Sequence, residues 1–197
     1  VPGTPGVPAV EFTISTQQAG GFSENAWMAA QPTELGFMAD EQISVGGMPL
    51  RSRLWQVSSQ AELDHFVQAA PKGAIVGLKG QLGYSHAGKH HLITVDELEA
   101  KPFEIPDEKI KLELVQFLAN AQFDPTANKW ISEGEVARNP AVMLKLTAGD
   151  KTYDLMAFGN HPEFGRQLSL KAGLNEDHLI TLFRPDQKTE LQLVVSR

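Results

Sequence analysis

Apolar and polar residues alternate with a period of two in short runs along most of this chain, which is the pattern of half-buried β-strands. Strands are predicted over residues 9–16, 43–47, 49–58, 73–80, 90–95, 109–118, 141–148, 151–158, 178–185 and 190–196. Over 109–118, Ile110, Leu112, Leu114 and Phe117 alternate with lysine and glutamate except for one slip near Val115, as a bulged strand would. Residues 147–152 read as a hairpin turn with Gly149 and Asp150 at its tip. Only residues 58–73 show helical periodicity. There Ser59 and Glu62 have capping-box spacing, and Leu63, Phe66, Val67 and Ala70 form one apolar face. Asp64, His65 and Gln68 lie off that face, and Pro71 and Gly73 stop the helix.

About ten strands and one short helix predict an all-β fold, a β-sandwich. Residues 1–8, "VPGTPGVP", read as a stiff extended lead-in. Residues 9–197 read as a single β-rich domain, with subdomains 9–100 and 101–197 as the finer division. Residues 7–16 and 139–148, 132 residues apart, share a Pro-Ala-Val start to an alternating strand, each followed by an aromatic segment. A true duplication would make two related β units; the competing explanation is that X-Pro-Ala-Val is a common way to begin an edge strand.

Composition narrows the function classes. The 197 residues can bury a sufficient core without staples. A net charge of −7, with no run of lysine or arginine, gives no footprint for nucleic acid. The absence of cysteine excludes thiol catalysis, disulfides and zinc–thiolate or iron–sulfur sites. No apolar run reaches the length of a membrane span. The chain begins with Val1, as a processed product or a piece of a longer chain would.

Three of the six histidines, His86, His90 and His91, fall within "YSHAGKHHLITV", residues 84–95. They are the candidate metal ligands, but Gly83 and Gly88 interrupt any helix, and on a strand His90 and His91 point to opposite faces. The stretch reads as the second arm of a hairpin begun at 73–80, with no metal and no cofactor assigned. Ser85 stands beside His86, where adjacency does not make a nucleophile–base pair. Residues 124–135 have the length and acidic ends of a calcium loop, but Lys129 occupies the position that needs glycine, so they read as a polar loop. Trp55 reads as core. Trp27 and Trp130, in loop-like surroundings, are candidates for contact with a ligand or partner, and Phe158 and Phe164 join them.

Residues 102–125, "PFEIPDEKIKLELVQFLANAQFDP", give a short F-x-I strand, a turn and a long strand that ends in a polar loop. Residues 139–165, "NPAVMLKLTAGDKTYDLMAFGNHPEFG", give an Asn-Pro-Ala strand, a hairpin and a Phe158, Pro162, Phe164 element. This order of pieces resembles the extracytoplasmic region of ResB-like cytochrome c biogenesis proteins, with Arg51, Arg53 and "WQV" (55–57) fitting an earlier strand. The resemblance covers a third to a half of the chain. It implies a non-enzymatic β-rich domain in the periplasm or on the outer face of the cytoplasmic membrane, docking to a protein partner in a membrane complex. That partner would be a haem-delivery protein or apocytochrome c. Members that use cysteine chemistry have no counterpart here, and no haem ligand carries over to a particular position. The alternative is a secreted or periplasmic module that binds a carbohydrate or another ligand through Trp27 or Trp130.

Overall fold

The computed structural model of the chain describes residues 9–15, 21, 23–33, 36–45, 48–55, 57, 59–72, 76–175 and 177–184. The described structure is mostly β, in several antiparallel sheets with three helices and no closed barrel. The described residues divide into two compact units, 9–57 and 59–184. The strands predicted at 190–196 and the lead-in at 1–8 lie outside the described residues.

Every element described in the first unit is a strand. Strands β1 (Ala9–Ser15) and β2 (Ser23–Ala29) pair antiparallel, with Glu11 opposite Trp27. Strands β3 (Gln31–Thr33), β4 (Gly36–Val45) and β5 (Met48–Trp55) form a second sheet in the order β3-β4-β5. Arg51 and Arg53 stand on β5, opposite Gln42 and Asp40.

The second unit begins with helix α1 (Gln60–Gln68), capped by the Ser59 hydroxyl on the Glu62 amide as its sequence predicts. Strands β6 (Gln81–His86) and β7 (Lys89–Thr94) then form a hairpin around Ala87 and Gly88. The first arm is 81–86: of the expected 73–80 strand, residues 73–75 lie outside the described residues, and over 76–80 Gly77 and Gly80 take φ of 91° and 97°, which breaks an extended run just before β6. Helix α2 (Val95–Ala100) follows at once, started by a capping box in which Thr94 and Glu97 satisfy each other's backbone amides. Strands β8 (Phe103–Ile105), β9 (Ile110–Leu118), β10 (Ala121–Asp124), β11 (Lys129–Ser132), β12 (Ala141–Ala148) and β13 (Lys151–Phe158) come next. Helix α3 (Pro162–Lys171), with proline in its first turn, and β14 (His178–Phe183) complete the unit. Helices α2 and α3 correct the expectation of a single helix.

Two sheets dominate this unit, ordered β13-β12-β9-β8 and β14-β6-β7, and β10-β11 is a separate two-stranded ribbon. The slip in the alternation of β9 is a bulge. The register steps from Met143↔Gln116 to Leu144↔Leu114, so Val115 has no partner on β12 and is 57% exposed. The extra residue keeps Phe117 on the same face as Leu112 and Leu114. That face meets the other sheet: Leu112, Val142, Leu144 and Leu146 share one core with Leu82, Tyr84, Ile93 and Leu182. The opposite face carries a smaller core of Leu118, Ala121, Ala141, Met156 and Phe158, covered by Trp130 and by Phe164 and Leu168 of α3.

Candidate functional site

The β6–β7 hairpin distributes its histidines by simple pleat arithmetic. His90 faces Ser85, while His91 faces Tyr84 and β14 brings His178 opposite His86. His86 and His91 therefore share one face of the sheet and His90 lies on the other. His86 and His90 do not converge on a common ligand, and no group of three or more His, Asp or Glu side chains among the described residues is arranged to hold a metal ion.

On the core face, the His86 and His178 rings stack with centroids 4.1 Å apart and planes 9° from parallel. The Tyr84 hydroxyl and His178 Nδ1 are 2.9 Å apart, and the Tyr84 ring lies between those of His178 and His91, stacked at 6.1 and 6.2 Å. Phe103 closes the group against His91 at 5.1 Å. Glu108, from the turn before β9, ion-pairs with Lys89 and approaches His86 Nε2 at 3.8 Å. The Lys89 hydrogen bond holds the Glu108 carboxyl below its usual range. Burial, and then the neighbouring His86, bring His178 down to about 4, so it is neutral at pH 7. Burial, and then Glu108, push the Tyr84 hydroxyl up. His86 Nδ1, His91 Nε2 and Glu108 Oε2 are buried atoms with no hydrogen-bond partner among the described residues.

On the other face, helix α1 packs with a stripe that differs from the one its apolar residues suggest. The buried positions are Glu62, His65, Phe66 and Ala69, and Val67 is 51% exposed. Two polar side chains are carried inward because each meets a partner. His65 is 1% exposed, with Nδ1 2.6 Å from the Ser85 hydroxyl and Nε2 2.9 Å from the Thr181 hydroxyl. The same Ser85 oxygen lies 2.7 Å from His90 Nδ1. Glu62 pairs with Arg166 of α3 at 2.5 Å. Gly83 makes the close approach possible: a Cβ there would sit 2.8 Å from the Ala69 carbonyl oxygen. Burial, and then the charge of His90, lower His65 to about 4. A small cavity of about 20 Å³, room for about one water, opens beside this network. Its walls include Glu62, His65, Arg166, Asn175, His178 and Thr181. Ser85 thus has histidine partners, but they are His65 and His90 rather than its neighbour His86. The signal that could have found them is i, i+3 spacing of Glu62 and His65 with Phe66 and Ala69 on one helix face.

The aromatic candidates lie elsewhere. Trp130, on β11 rather than in a loop, packs edge-on to Phe158 at 5.1 Å and Phe164 at 6.4 Å, and Phe158 meets Phe164 at 5.2 Å. Phe158 is only 2% exposed, so it serves the smaller core, while Phe123 extends the group outward at 5.5 Å from Trp130. Trp27 belongs to the other unit, on strand β2, and is 50% exposed. Residues 124–129 make a tight turn in which Asp124 Oδ1 accepts from the amides of Thr126 and Ala127. No helix among the described residues is long and apolar enough to cross a membrane. No family model, curated protein or solved structure matches this chain.

Proposed function

We propose that this chain is a non-enzymatic docking domain of a ResB-like cytochrome c assembly protein, held outside the cytoplasmic membrane. In this proposal the two larger sheets of the second unit form a β-sandwich. Its partner is a protein of the membrane complex, either the one that delivers haem or apocytochrome c. One observation carries the reading: the segments on which the resemblance rests are built into one another. The F-x-I strand and the long strand after it are β8 and β9, and β9 pairs with β12 of the Asn-Pro-Ala hairpin. Asn139 fastens that hairpin to β10, its amide donating to the Ala121 carbonyl while its own carbonyl accepts from the Ala121 amide. The Phe158, Pro162, Phe164 element is the corner where β13 turns into α3, closed by the contact between the two rings.

Apolar side chains left outside the cores supply contacts for a partner: Val115 on the bulge, Phe123 at 48% exposure and Val136 at 67%. A photo-reactive amino acid placed in turn at 115, 123 and 136 tests the reading in intact cells. The expected product is an adduct with a haem-handling membrane protein or an apocytochrome. Adducts with neither class at all three positions would contradict it.

The exposed ring of Trp27 favours a second reading, a carbohydrate-binding module of a secreted or periplasmic protein. Saturable glycan binding lost in Trp27→Ala supports this second reading.

A further inference from the structure

The contacts between Thr181, His65, Ser85 and His90 form an unbroken chain of polar atoms from the cavity wall to a half-buried histidine at the edge of the sheet. The number of available hydrogens restricts how they can be arranged. A serine hydroxyl has one hydrogen, and a neutral imidazole has one N–H. If His90 carries its hydrogen on Nε2, its Nδ1 must accept from Ser85. Ser85 must then accept from His65 Nδ1–H, and His65 Nε2 must accept from Thr181. If His90 is a cation, its Nδ1–H donates and every bond reverses. Ser85 then donates to His65 Nδ1, and His65 Nε2–H donates to Thr181.

We propose that these four residues are a proton wire joining the cavity to His90. A hydronium ion in the cavity gives a proton to the Thr181 oxygen and becomes water, and the hydrogen that Thr181 held moves to His65 Nε2. The His65 Nδ1 hydrogen moves to Ser85, and the Ser85 hydrogen moves to His90 Nδ1. Four O–H or N–H bonds form and four break, the donor's included, and the positive charge passes from hydronium to His90. Neither His65 nor Ser85 changes its net charge, which is what their burial at 1% and 4% exposure requires. The low affinity of buried His65 for a second proton keeps it a conduit rather than a trap. In the reversed arrangement the Thr181 hydrogen is released from His65, so the cavity gains a donor.

The charged and titratable groups on the cavity side of the wire are Glu62 on α1, Arg166 on α3 and His178 on β14, while His91 and Lys89, beside His90 on β7, point to the opposite face of the sheet. Glu62 and Arg166 neutralise each other on the cavity wall.

Nitrogen-15 NMR of the imidazoles reads the wire directly. At high pH the hydrogen of His65 should be on Nδ1. As His90 titrates it should move to Nε2, with the same midpoint pH as the His90 transition. In His90→Phe, a change at a half-buried position, the His65 tautomer should no longer follow pH over that range. A His65 tautomer that stays constant while His90 titrates would overturn the wire. So would a tautomer switch that survives unchanged in His90→Phe.

Discussion

Burying His65 makes the second unit sensitive to acid in a calculable way. The unfolded chain takes up a proton at His65 near the ordinary histidine value of 6.5, whereas the folded chain resists until about 4. Between those values the unfolded state binds more protons, so stability falls as pH falls. The contribution is fully present above pH 6.5 and gone below about pH 4. An interval of that width corresponds to about 3 kcal/mol. Against a total stability of about 5–15 kcal/mol, that is a large share. Urea unfolding of the wild type and of His65→Gln, compared at steps between pH 7 and 4, measures it. Glutamine can donate and accept but does not titrate, so the variant starts less stable and should lose about one proton's worth of pH dependence. Near pH 5 the slope should fall by about 1.4 kcal/mol per pH unit. His178, also lowered to about 4 by burial and by His86, acts in the same direction and keeps some slope in the variant. Parallel pH profiles for the two proteins would mean that His65 titrates alike in the folded and unfolded chains, contrary to its burial.

Other perturbations test the packing around this site. Glu62→Gln removes the negative charge facing Arg166 and should cost about 3 kcal/mol in a denaturant melt, since the Glu62 side chain is only 6% exposed. Gly83→Ala forces its new methyl against the Ala69 carbonyl and the Phe183 ring, and should cost about 1–3 kcal/mol, with loss of amide protection concentrated in α1. Leu146→Ala removes a fully buried side chain from the larger core and should cost about 2–5 kcal/mol. Val115→Ser, on the exposed bulge, should change stability by no more than about 0.5 kcal/mol, so any loss of partner binding in this variant reports on the surface and not on folding.

What the sequence revealed and what it hid follow from the range of the interactions involved. The bulge at Val115 and the hairpin tip at Gly149 were legible because local alternation and turn chemistry set them. The capping box of α2 was also local, in Thr94 and Glu97, but the strand pattern running into it masked the signal. The inward turn of His65 was not legible locally. A polar residue beside an apolar stripe points outward unless something distant satisfies it, and here the partners are 20 and 116 residues away, at Ser85 and Thr181. The same holds for His178, which the pattern marked only as the first residue of a strand and which register alone sets against His86. The aromatic candidates divide in a similar way. Phe158 is buried by α3, a helix that the Phe158, Pro162, Phe164 spacing did not suggest, while Trp27 stands exposed on a two-stranded sheet.

The role proposed for this chain is docking during cytochrome c assembly. Covalent haem in c-type cytochromes, stained after denaturing electrophoresis, tests it in cells from which the chain has been removed. A docking role predicts loss of haem-bearing c-type cytochromes with apocytochrome still made, and recovery on return of the wild-type chain. Undiminished covalent haem in cells lacking the chain would contradict it.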